Sequence, residues 1–161
     1  FQRQQAYVPE LLMAARAMKG SLELLKSHLK GEKTDTIGKI VIGTVFGDLH
    51  DIGKNLVASM FEGCGFEVVN MGVNISADKF VETVKIEKPD ILWLSALLTT
   101  TMSYMKVVMD ALEKEGLRDQ VKVMVGGAPV NELFANQIGA DGYSGNANAA
   151  VIKAKELLCI A

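Results

Sequence analysis

The chain has 161 residues, 49% of them hydrophobic and 22% charged, enough apolar material for one packed domain with a small appendage. Its formal net charge of -2 offers no basic field for nucleic acid and no polybasic anchor for a membrane surface. No apolar run reaches the roughly 18 residues of a membrane span, and two distant cysteines, Cys64 and Cys159, argue against a disulfide scaffold or structural zinc and for a reducing, cytoplasmic setting.

Residues 1–33 read as helix, because Leu11, Ala15, Met18, Leu22, Leu25 and Leu29 recur as one apolar stripe. Pro9 suits a first helical turn, Gly20-Ser21 can divide the run, and Leu12, Met13, Ala14 and Ala17 widen the apolar surface. The chain starts at Phe1 inside this amphipathic stretch, which reads as part of a longer helical region. The polar segment 31–36 reads as a linker, so a remnant helical cap over 1–33 and a second domain over 34–161 are expected.

From Lys39 onward, β-rich runs alternate with helical patterns. Residues 39–46 read as a strand buried on both faces and 52–64 as a helix. Residues 66–71 form the second strand, and Ser76 caps a helix running to 87. Residues 90–95 form the third strand, followed by a helix over 102–115 with Met102, Met105 and Met109 on its core face. Residues 121–125 are the fourth strand, 131–138 a short helix, 141–143 a short fifth strand and 147–158 the closing helix. Strands without alternation, each followed by a helix, predict an α/β fold: a doubly wound, flavodoxin-like parallel sheet in the order 2-1-3-4-5. Ligands of such sheets sit beyond the carboxyl ends of the strands where the order reverses, here between strands one and three.

The loop after strand one contains Asp48, Leu49, His50, Asp51, Ile52 and Gly53. His50 is one of two histidines, and Asp48 stands two residues before it, on the same side of an extended loop. A carboxylate bonded to one ring nitrogen fixes the tautomer and leaves the other for a metal. Gly53 lets the backbone turn close beneath a bulky group. The plainer reading has Asp48 or Asp51 capping a helix beside a surface histidine. The loop after strand three carries the hydroxyls Ser95, Thr99 and Thr101, which could equally cap the next helix, and Gly126-Gly127 follows strand four, where a turn before Pro129 is the simpler reading. His28 reads as surface, Trp93 as core, and Lys54 as a partial neutraliser of the acidic loop.

Taken together, Asp48-x-His50-x-x-Gly53, then Ser95-x-Leu97, then Gly126-Gly127 resemble the corrinoid-binding signature of methionine synthase and of methanol- and methylamine-type corrinoid proteins. The resemblance covers nearly the whole chain, and residues 9–15 look like the end of the helical bundle that precedes this domain. It implies a bound cobalamin or related cobamide, held base-off, with His50 as lower axial ligand to cobalt and Asp48 behind it. Thr101 falls where a serine of methionine synthase continues the relay. Gly43, Ser95, Gly126 and Gly127 would line a slot for the displaced nucleotide tail, with Leu97 beside it and Gly145 at its far end. Leu49, Asp51, Ile52, Gly53 and Thr99 would complete the cofactor contacts.

The resemblance further implies a non-catalytic methyl carrier. One substrate-specific methyltransferase loads it and a second, acting on a thiol or folate, unloads it. A reductive activase and a homodimer through the N-terminal helices complete the expected partners. The alternatives are a corrinoid subunit of an adenosylcobalamin mutase, or a corrinoid-based sensor. A flavodoxin reading would want a phosphate loop where the acidic Asp48–Asp51 loop stands, and a phospho-acceptor receiver would want an aspartate at Ser95.

Overall fold

A computed structural model describes residues 13, 16, 17, 20, 21 and 36–160. Contacts divide the chain into Phe1–Asp35 and Thr36–Ala161. In the first unit Met13, Arg16, Ala17, Gly20 and Ser21 are helical. The remaining readings made there, including the cap, its apolar stripe, the linker through Asp35, His28 and dimerisation, lie outside the described residues.

The second unit is built on β1 (Lys39–Val45), whose Ile40, Val41, Ile42 and Val45 are fully buried. β-branched side chains filling both faces suit a central parallel strand. β2 (Glu67–Ile75), β3 (Ile91–Ser95), β4 (Lys122–Gly126) and β5 (Gly142–Tyr143) complete the sheet. All pairings are parallel and the order is β2-β1-β3-β4-β5. Such strands need helical crossovers. These are α1 (Ile52–Gly63), α2 (Ala77–Glu87), α3 (Thr99–Met102), α4 (Tyr104–Lys114), α5 (Glu132–Ile138) and α6 (Ala147–Leu157).

Side-chain alternation along the strands separates two cores. Val41, Leu92, Leu94, Val123 and Val125 face α2, α4 and α5, which contribute Phe80, Met105, Met109, Leu112 and Ile138. Ile40, Ile42, Ile91, Trp93 and Met124 face α1 and α6, which contribute Phe61, Ala150 and Ala154. Trp93 and the methionine stripe are therefore core, as their patterns indicate. Caps follow the expected chemistry: Ser76, Asn131 and Asn146 each accept a backbone N–H from the first turn of the helix they precede.

Most element ends match the sequence reading to within a residue, with three differences. The helix expected over 102–115 starts earlier, at Thr99, and is divided at Ser103 into two helices. β2 continues four residues beyond the expected 71, to Ile75. Its pairing with β1 slips twice there, between Ile42 and Gly43 and between Gly43 and Val45, and Asn74 takes a left-handed φ of 58°. The segment before β4 holds a 3-10 turn, Arg118–Gln120, that carries no periodic pattern.

Gly127, at the β4 exit, has φ 130°, and a Cβ there would lie 1.7 Å from the backbone oxygen of Ala96. Gly127→Ala should therefore lower unfolding free energy by about 2 kcal/mol or more in urea denaturation, from strain and backbone displacement together.

Candidate functional site

The C-terminal ends of β1 and β3 lie side by side, with Thr44 in register with Ser95 and Ser95 with Gly126 of β4. The segment between β1 and α1 has no regular structure, so its shape is set by hydrogen bonds. Asp48, at its centre, is completely buried. Its Oδ1 accepts the His50 backbone N–H at 3.0 Å and lies 2.7 Å from His50 Nδ1. Its Oδ2 accepts the Leu97 backbone N–H at 2.7 Å and the Thr101 hydroxyl at 2.6 Å. Both oxygens are thus occupied, one by the β1 loop and one by the β3 loop.

Burial alone would push the Asp48 carboxyl up. The donors Thr101, Leu97 N–H, His50 N–H and the His50 ring together outweigh it and hold the group well below the usual carboxylate range. A carboxylate so held keeps its negative charge beside the imidazole. The His50 side chain is half exposed, at 51%, while Asp48 is at 0%. Its Nδ1 is turned inward to Asp48, which makes Nε2 the nitrogen available to a ligand.

Three further groups hold this loop, and sequence reasoning missed them. The Thr44 hydroxyl donates to the His50 carbonyl at 2.9 Å. Asn74 accepts the Gly47 N–H through its side chain at 2.8 Å and donates its own N–H to the Asp48 carbonyl at 3.0 Å. The Leu97 N–H is the third. The only available signals were a polar residue inside the apolar run of β1 and an asparagine just before the Ser76 cap.

The other expected residues divide by position. Asp51 makes no side-chain capping bond to α1 and instead accepts from Asn55 at 2.9 Å, so neither aspartate serves as the plain helix cap. Lys54 is buried and donates to Asn55, which itself donates to Asp51, at 2.7 Å, and to Asn70 of β2 at 2.6 Å. Gly53 is exposed and helical, and a Cβ on it would meet nothing within 4 Å. Leu49, Ile52, Leu97 and Leu98 are exposed apolar residues on the two segments that Asp48 joins. Thr99 is exposed at the start of α3 and is not among the donors to Asp48.

Gly43 serves the packing of the sheet. Its missing side chain points to the α2 face, where a Cβ would lie 2.7 Å from Phe80, whereas Ser95 and Gly126 belong to the α1/α6 face. Gly43 therefore makes room for Phe80 rather than for a ligand among those residues. Gly126 makes room for Trp93, whose ring comes within 2.5 Å of the Cβ position. Gly145 is exposed just before Asn146, the cap of α6.

Among the described residues no group of three or more His, Cys, Asp or Glu side chains could hold a metal ion. A bare ion wants more protein ligands than one histidine. An oriented, exposed histidine with exposed apolar residues on its own loop suits a metal that arrives already chelated in a flat macrocycle. A separate groove of about 400 Å³, lined by residues including Glu132, Asn136, Tyr143 and Lys153, shares no lining residue with this loop.

Residues 38–152 match the B12 binding domain family. The chain belongs to the B12-binding corrinoid proteins. This corrinoid protein is 46% identical over 159 residues to "Dimethylamine corrinoid protein 2" of Methanosarcina acetivorans, covering 98% of this chain and 74% of that one. A cobalamin-binding protein from Desulfitobacterium hafniense superimposes with a TM-score of 0.82 at 37% identity, over 98% of this chain and 74% of that one. A chain of the methanol:cobalamin methyltransferase complex MtaBC of Methanosarcina barkeri superimposes with a TM-score of 0.84 at 33% identity, over 98% of this chain and 60% of that one.

Because Asp48 holds its proton less readily folded than unfolded, it stabilises this corrinoid protein above its ordinary value of 3.8, and that contribution is lost as pH falls below it. Thermal melts of the apoprotein should show an acid limb below about pH 4 that is shallower in Asp48→Asn. The substitution should also cost about 1–3 kcal/mol at neutral pH, since an amide nitrogen would face donors.

Proposed function

We propose that this chain binds a cobamide base-off, with His50 Nε2 as the lower nitrogen ligand, and carries a methyl group between two methyltransferases. The observation that carries the reading is the buried Asp48 carboxylate aimed at Nδ1 of an exposed histidine, with no competing ligand cluster among the described residues. When bound, the corrinoid supplies a cobalt that accepts a methyl group from one partner and yields it to another.

The protein's share is positional. Asp48 fixes the tautomer with the proton on Nδ1, and Thr101 and the Leu97 N–H keep Asp48 in place. Leu49, Ile52, Leu97 and Leu98 would lie against the macrocycle, and the open space over Gly53 would admit its edge. The row Thr44–Ser95–Gly126 would border the nucleotide tail on the α1/α6 face, with Gly127 and Gly145 at its outer end.

The named relatives favour a methylated amine as donor, and the methanol:cobalamin neighbour supports a methyltransferase as direct partner. A thiol or folate methyltransferase as acceptor, a reductive activase, a cytoplasmic setting and pairing through an N-terminal cap complete the proposal.

His50→Ala should retain corrinoid binding but lose the nitrogen hyperfine splitting of the cobalt electron paramagnetic resonance signal; an unchanged spectrum would overturn the ligand assignment. Gly53→Ala separates fold from site. It should leave thermal stability unchanged or raise it by about 0.5 kcal/mol, since alanine favours helix. Corrinoid affinity should fall about tenfold or more, because one methyl group would stand where the macrocycle packs.

A further inference from the structure

The α1/α6 face of the sheet carries two successive rows near its carboxyl edge. The outer row is Thr44, Ser95 and Gly126, and the inner row is Ile42, Trp93 and Met124, each in register across β1, β3 and β4. Residues two apart on one strand are separated by roughly 6.6 Å, so Trp93 stands directly one step below Ser95. It is the chain's single tryptophan and the largest side chain of either row.

The indole does not lie within its own row. Its Cζ2 and Cη2 come to 2.5 and 3.2 Å from the Cβ position of residue 126, so the six-membered ring rises into the outer row beneath Gly126. The ring is braced from the helix side by Phe61 of α1, edge-on at a centroid distance of 5.9 Å. Ser95, above it, is half-buried, whereas Trp93 is only 2% exposed. A ligand reaching past the outer row on this face would therefore meet the indole. The small residues of the outer row would otherwise leave a deeper recess.

We propose that Trp93 is the floor of the slot for the corrinoid's nucleotide tail and sets how large a lower base the protein accepts. This rests on the reading that the outer row borders that tail. A rigid aromatic floor braced by a second ring cannot yield by rotating a flexible side chain, so bulk added to the far end of a base meets packed atoms. Compact bases are accepted and methylated ones are disfavoured.

The test is equilibrium binding of three corrinoids to the full chain, read by dialysis and corrin absorbance. Cobinamide lacks the nucleotide, one cobamide carries benzimidazole, and cobalamin carries 5,6-dimethylbenzimidazole. Wild type should bind the benzimidazole form about tenfold or more tightly than cobalamin, the discrimination expected from methyl groups against a packed wall. In Trp93→Ala that ratio should fall towards one, while cobinamide affinity stays within about threefold. Trp93→Phe, which keeps a ring in the core, should move the ratio in the same direction by less. Because each variant is read as a ratio, a general loss of affinity cancels. A ratio near one in wild type, or a ratio the same in both variants as in wild type, overturns the proposal. Failure of wild type to bind all three corrinoids would instead overturn the corrinoid reading itself.

Discussion

The site depends on one buried carboxylate held by four donors. Asp48 joins loops that are far apart in sequence, since Leu97 and Thr101 follow β3 while His50 follows β1. A wholly buried charge is costly unless it is fully hydrogen-bonded, and this one is. The same set of bonds anchors the helical turn after β3, through Thr101, and directs the imidazole. Anchoring of α3 and orientation of His50 are thus two results of one electrostatic requirement.

Around that carboxylate the fold works by parallel register. β1 and β3 end level with each other, so their exit loops meet, and the crossover helices keep both faces dry. β2 adds what a regular strand would not. Its two slips against β1 and the left-handed Asn74 bring an asparagine amide and a backbone N–H to the β1 loop. The loop that holds His50 is therefore secured by β1, β2 and the segment after β3.

The architecture was legible because each element had its own signal. Continuous β-branched runs marked the central strands, and Ser76, Asn131 and Asn146 marked helix starts. The Asp48–His50 pairing followed from spacing alone. What was not legible depended on three-dimensional neighbours. Asn74 has no pattern that announces a bulge, and the Leu97 N–H belongs to a backbone that any residue would supply. Gly43 was read as ligand space because a sequence does not say which face of a strand a missing side chain leaves open; here Phe80 fills it. Gly53, by contrast, stands where nothing in the described chain needs the room.

The position of the lone indole has an optical consequence. Tryptophan emits in the near ultraviolet, where corrins absorb strongly, and Trp93 lies one row beneath the edge of the sheet that carries His50. With a single emitter and a corrinoid bound over that edge as proposed, excitation would pass from indole to corrin over a distance set by the fold. Emission from the indole would then fall as cofactor binds, an unlabelled gauge of occupancy.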